Sequence, residues 1–228
     1  MAMASARRAP PIVREDTSSG HFFIKTFTFL ERAIEDDKQM PTTSAPPDFE
    51  TRLALTETFT RSLFERLDET VSAIVADGWS EKMTRAGLKL HQNTWNTDRM
   101  AQALEMELQG FGGLAALDRI TSPAHTRDTI AYRLRRPREV IHVWPALPGA
   151  GLSPVLMGWL IGTSQIIRPS SRGEHFARLI YERSRDLMGS ASTGLELLFG
   201  SPSPRWKDAD ALIVSGSDET IETLHGFL

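Results

Sequence analysis

Three short runs of residues in this chain have the types and spacing to meet a phosphate or a sugar. Gly216-Ser217-Asp218-Glu219-Thr220 follows the apolar run from Ala211 to Ser215. Glycine there lets the backbone pass close to a ligand, Ser217 can cap a following helix, and the N–H groups at that helix's positive end attract an anion. Asp218 and Glu219 suit the helix dipole, although they would repel a phosphate that came too near. Arg168-Pro169-Ser170-Ser171 closes a second apolar run that begins at Ser164. Its cation and two hydroxyls could hold a ribose, and the guanidinium could pair with a 2′-phosphate. Pro148-Gly149-Ala150-Gly151 opens a G-x-G-x-x-G pattern but places Pro154 where the third glycine belongs, which leaves it weak alone. The first run also suits an ordinary strand-to-helix turn, and the second a surface arginine beside a serine turn. Their recurrence at one end of successive strands favours a ligand.

Other chemistries find little support. Gly-x-Ser-x-Gly, a Walker phosphate loop and H-E-x-x-H are all absent. His142 lies inside an apolar run and reads as a core histidine, while Trp144, Trp159 and Trp206 read as core or interface residues rather than a stacking platform. No catalytic residue and no metal ligand is assigned. With no cysteine, the chain has no disulfide, thiolate metal site or cysteine nucleophile of its own. The 228 residues are 40% hydrophobic and 24% charged, with a net charge of -3, ordinary values for a soluble globular protein without a nucleic-acid surface. The arginines at 133, 135, 136 and 138 read as a solvated strand or loop. No stretch is long and apolar enough for a membrane span, and Arg7-Arg8 is followed by no apolar core of a secretory signal. A cytoplasmic location is expected.

The elements that must position these runs follow from periodicity. Residues 1–47 form an irregular tail rich in proline and serine, interrupted by the amphipathic piece Phe22 to Ile34. Residues 48–228 are expected to form one domain, helical over 48–122 and α/β over 123–228. From Asp48 to Asp77, apolar residues recur at three and four positions, predicting a helix that Gly78 stops. Ser80 can cap the next helix, which carries Met83, Leu88 and Leu90. A third, from about Thr97 to Leu108, turns Met100, Leu104 and Leu108 inward. Strands are expected at Thr129 to Leu134, Glu139 to Trp144, Ser164 to Arg168, Leu195 to Phe199 and Ala211 to Ser215. Ser153-Pro154 should start the helix between the second and third of these, with Ser153 as its cap. The helix from Gly173 to Met188 should bury Phe176, Leu179, Ile180, Leu187 and Met188. Strands alternating with helices imply a parallel, Rossmann-like sheet with right-handed crossovers.

The segments His142 to Ile180 and Lys207 to Leu224 together resemble the aldehyde dehydrogenase superfamily, and within it the acyl-CoA reductases that include the fatty acid reductase of bacterial bioluminescence. The likeness rests on the order and spacing of the three motifs over roughly the C-terminal 100 residues. It implies an aldehyde dehydrogenase-like cofactor domain preceded by N-terminal helices, with Ala146, Leu147, Arg168, Ser170, Ser171, Gly216, Ser217 and Glu219 as cofactor-binding residues. Arg168 stands where the superfamily usually has a lysine before Pro-Ser, and Gly216-Ser217 matches the pair that opens the pyrophosphate-facing helix. The implied cofactor is NADP(H), with NAD as the alternative. In this family hydride passes to an acyl group held as a thioester on cysteine, releasing an aldehyde, with acyl-CoA or an acyl-carrier thioester as donor.

Two departures bear on that implication. Where the reductases tend to read Gly-Asn-Val-Pro, this chain reads Pro145-Ala146-Leu147-Pro148, so Ala146 replaces an asparagine that helps hold the reacting oxygen. The family's nucleophilic cysteine belongs to a later catalytic domain, expected to be absent here, so the thioester would be handled by a missing domain or a partner chain. The chain is accordingly expected to be a cofactor-binding portion that is inactive alone, and a homo-oligomer is compatible with it. The alternatives are a degenerate interaction protein that kept the fold, and an unrelated α/β domain for a phosphorylated small molecule.

Overall fold

A computed structural model describes residues 47–109, 113–114, 137–189, 194–200, 206 and 208–227. The expected N-terminal tail, the strand at Thr129 to Leu134 and the arginines at 133, 135 and 136 lie outside the described residues.

Four helices come first: α1 (Phe49–Glu65), α2 (Leu67–Ala76), α3 (Glu81–Thr94) and α4 (Thr97–Leu108). Three of them start on a side chain that accepts an otherwise unpartnered N–H. Asp48 takes that of Thr51 at 2.8 Å, Ser80 that of Met83 at 3.3 Å and Asn96 that of Arg99 at 2.9 Å. The run expected to be one helix from Asp48 to Asp77 is two, because Arg66 leaves helical geometry at φ -107°, ψ 50°. Groups near that break are held from elsewhere. Arg183 donates to the Ser62 carbonyl at 3.1 Å and pairs with Glu69 at 2.7 Å, while the Thr70 hydroxyl reaches the Leu63 carbonyl at 2.9 Å. Periodicity could not show this, since the apolar spacing runs on across Arg66.

The strands β1 (Glu139–Val143), β2 (Ser164–Arg168), β3 (Leu195–Leu197) and β4 (Ala211–Val214) form one sheet in the order β3-β2-β1-β4. Every pairing is parallel. Helix α5 (Leu152–Ile161) connects β1 to β2, α6 (Glu174–Met188) follows β2, and α7 (Asp218–Phe227) follows β4. The expected α/β architecture is therefore present, with helices preceding a parallel sheet. Helix α5 starts two residues earlier than expected, after Gly151, and Ser153 makes no capping bond. Pro154 still falls in the first turn, where a missing N–H leaves no gap.

Alternation along the strands separates two cores. On one face Ile167 joins Leu152 and Leu156 of α5, Phe176 and Ile180 of α6, and Phe59 and Leu63 of α1. Phe59 meets Trp159 edge-on at 4.8 Å, tying the N-terminal helices to α5. On the other face Ile141, Val143, Ile166 and Leu212 pack with Trp206 and with Leu224 of α7. Leu187, expected inside, is exposed near the end of α6. No described helix is long and apolar enough to cross a membrane.

His142 sits in this core as expected, 1% exposed, with no hydrogen-bond partner for either ring nitrogen among the described residues. Burial disfavours the charged ring and pushes its pKa down to about 4, the nearby Gln165 amide offsetting this slightly without a normal hydrogen bond. The unfolded chain takes up this proton near pH 6.5 and the folded one only near pH 4, so acidification through that window favours unfolding. The expected loss is about 3 kcal/mol between those limits. Urea unfolding at a series of pH values should show it, and His142→Leu should remove that part of the slope. An unchanged slope in the variant would contradict this assignment.

Candidate functional site at the carboxyl rim of the sheet

Val143, the last residue of β1, pairs with Arg168 of β2 on one side and Val214 of β4 on the other. The chain therefore leaves all three strands at the same rim, which puts Arg168 and Ser217 on that rim with β1 between them. Adjacent strands lie about 4.8 Å apart, so β2 and β4 are separated by roughly 10 Å. The direction of strand addition reverses between β1 and β4, the place where open α/β sheets leave a crevice.

Three helices begin at or near this rim, and each presents a positive end. The start of α5 is closed by packing. Gly149 has φ +76°, and a Cβ on it would lie 2.9 Å from both His91 and Trp95. A Cβ on Gly151 would lie 2.4 Å from the Trp144 ring. His91 and Trp95 are themselves stacked, with centroids 4.7 Å apart, and burial lowers the His91 pKa while a hydrogen bond to the Pro148 backbone partly opposes the shift. The glycines that looked like an incomplete phosphate loop thus admit aromatic rings.

The start of α6 already holds an anion. Gly173 offers no capping side chain, and the carboxylate of Asp77, from just past α2, takes its place. Asp77 accepts the backbone N–H groups of His175 at 2.9 Å and Phe176 at 3.1 Å, and its Oδ1 lies 2.9 Å from His175 Nδ1. Sequence reading treated Asp77 only as the end of a helix. Its aspartate-glycine signal carries no information about a helix that starts 97 positions later, as the separation of 98 between Asp77 and His175 makes plain.

The start of α7 is open. Ser217 caps it as expected, its Oγ accepting the Thr220 N–H at 3.3 Å, and Gly216, Ser217 and Asp218 are exposed. Glu219 lies in the first turn of the same helix.

The other expected site residues lie at the ends of β1 and β2. Arg168 turns toward the β3 side, where its Nε donates to the Gly200 carbonyl at 2.9 Å and its guanidinium lies 5.6 Å from the Trp206 ring. Ser170 Oγ is buried without a hydrogen-bond partner among the described residues, and Ser171 is exposed. Ala146 and Leu147 are exposed after β1 and line a shallow hollow with Trp79, Trp144 and Arg172. Arg172 was not anticipated. It lies 4.8 Å from the Trp79 ring and donates to the Gly78 carbonyl at 3.3 Å. Among the described residues no three His, Asp or Glu side chains converge to hold a metal.

Comparison with solved structures bears on the fold. Succinic semialdehyde dehydrogenase from Streptococcus pyogenes, in complex with NADP+, superposes on 78% of this chain with a TM-score of 0.57 and 14% identity. The fold is aldehyde dehydrogenase-like. The chain spans 38% of that dehydrogenase's length. Staphylococcus aureus AldH in its substrate-bound state gives a TM-score of 0.38 at 15% identity, covering 68% of this chain and 32% of that one. Neither a protein-family model nor a curated protein matches the sequence.

The closure of α5 and the filling of α6 each predict a cost. Gly151→Ala should destabilise the chain by about 1–3 kcal/mol through overpacking on Trp144. Asp77→Ala should cost about 1–2 kcal/mol through loss of the α6 cap. Denaturant midpoints measure both, and wild-type stability in either variant would contradict the packing described.

Proposed function

We propose that this chain is the NADP(H)-binding portion of an acyl-CoA reductase-like oxidoreductase, which forms an aldehyde from a thioester. The observation that carries the reading is the selection among helix ends: α5 is plugged, α6 holds Asp77, and α7 opens beside Gly216 and Ser217. The similarly folded Streptococcus pyogenes enzyme is in complex with NADP+, which supports the choice of cofactor.

The residues present suit such a ligand. Ser170 Oγ is a buried polar atom without a partner among the described residues, and Arg168 brings a cation to the same rim. Gly216, Ser217 and the first turn of α7, including the Glu219 backbone, would take the diphosphate. Ser170 and Ser171 would take the adenosine ribose, and Arg168 its 2′-phosphate. Ala146 and Leu147 would border the nicotinamide side. When bound, the cofactor supplies a hydride. The chain's own residues bind and orient it. They contain no cysteine, so a thiolate that holds the acyl group must come from outside these 228 residues. An acyl-CoA or acyl-carrier thioester is the proposed substrate of the assembled enzyme, and this chain alone is proposed to be inactive.

Ala146 favours a second reading. Its exposed methyl group offers no hydrogen bond to a developing oxyanion, as expected of a relative that kept the fold without the reaction. NADPH fluorescence titration separates the two. Under the first reading NADPH binds, Gly216→Val weakens it at least about tenfold, and Arg168→Ala weakens NADPH more than NADH. Absence of binding even at millimolar cofactor would refute the first reading and leave the second.

A further inference from the structure

Helix α3 carries an apolar stripe that no described element covers. Met83 is 63% exposed and Leu90 is 74% exposed. Ala86 and Gly87 lie between them on the same side of the helix, and a Cβ built on Gly87 would meet nothing within 4 Å. The sequence places three large apolar residues on this helix, Met83, Leu88 and Leu90, without showing which of them is buried. The buried face is set by Thr84 and Leu88, with Trp95 beyond the helix end, leaving Met83 and Leu90 more than about a third of a turn away.

The charges beside the stripe specify what could cover it. Lys82 and Lys89 run along its outer flank, seven residues apart, and both are exposed. Neither makes an ion pair among the described residues, whereas Arg85 on the far side is held by Glu81 and Asp68 at 2.8 Å each. Two α3 stripes brought together would oppose lysine to lysine, so the counterpart must be apolar and acidic. The chain has such a surface on α4. Met106 is 71% exposed, with Ala103 exposed one turn before it and Glu105 and Glu107 on either side. The helix carries three carboxylates, Asp98, Glu105 and Glu107, against the single cation Arg99. Glu105 is partly engaged by the Leu114 N–H at 2.7 Å, which makes Glu107 the better partner for a lysine.

We propose that the α3 stripe docks a second copy of this chain through that copy's α4, with Met83 and Leu90 against Met106 and with Lys82 and Lys89 facing Glu107 of the other copy. A two-fold axis would make the contact twice, α3 on α4 and α4 on α3, and so close the assembly as a dimer. This surface is formed by the N-terminal helices, and the proposal does not depend on the cofactor reading.

Sedimentation equilibrium from about 1 µM to about 100 µM tests it, a range suited to a small helix-face contact. A monomer–dimer equilibrium is expected, with the dissociation constant raised at least about tenfold by Leu90→Lys. Lys89→Glu should weaken the dimer, and Lys89→Glu combined with Glu107→Lys should restore it, because the exchanged charges again face each other. Circular dichroism melts of these surface variants check that each remains folded. A monomer throughout the range, a dimer indifferent to Leu90→Lys, or failure of the charge exchange to restore association would each overturn the proposal.

Discussion

The arrangement of the rim depends on β1 being paired in parallel on both sides. Five residues, Glu139–Val143, carry the hydrogen bonds that align β2 and β4, and Val143 stands level with Arg168 and Val214 together. A strand buried between two parallel neighbours and covered on both faces cannot shift register by one residue without reversing which side chains enter each core. Ile141 and Val143 belong to the α7 side, while Gln165 and Ile167 belong to the other. Once that register is set, the loops that follow all three strands must emerge together.

From there, competition for positive helix ends shapes the site. A helix start within a folded domain needs acceptors for its first N–H groups, or it must face solvent or a ligand. Here the three helices reach different solutions. Asp77 provides a carboxylate from a separate helix pair and so joins the N-terminal helices to α6. Trp144, His91 and Trp95 close the approach to α5, which removes the position where a glycine-rich first turn would ordinarily meet a phosphate. What remains is α7, on the opposite face, beside the point where strand order reverses. The N-terminal helices therefore do more than cover the sheet, since two of the three helix ends are settled by residues they contribute.

Arg168 shows how the same side chain can stabilise the fold and face the rim. Its bond to the Gly200 carbonyl and its position over Trp206 tie the segment after β3 to the end of β2. A phosphate approaching it would share the guanidinium with that carbonyl, and five donors in a planar fork allow such sharing where a lysine's compact charge would offer no comparable geometry.

The chain's alternating pattern was enough to set out the α/β half. Apolar runs bounded by glycine and proline located the four described strands, most clearly β1, β2 and β4 with their β-branched residues, while β3 showed only as a short apolar segment. Asp48 and Ser80 as helix starts were equally legible, and so was Ser217, because capping is a local interaction between residues three apart. Tertiary structure decided the rest. Groups beside the break at Arg66 are held by Arg183, more than a hundred positions away, and the role of Asp77 depends on a helix that follows the second strand. The outward turn of Met83 and Leu90 depends on which side of α3 met its neighbours. Apolar spacing shows that a helix has a buried face, but a helix with two apolar stripes contains no local information about which is covered. Gly149 and Gly151 make the same point from the backbone. A glycine records that something must come close, and only the folded chain shows that here it is an aromatic ring.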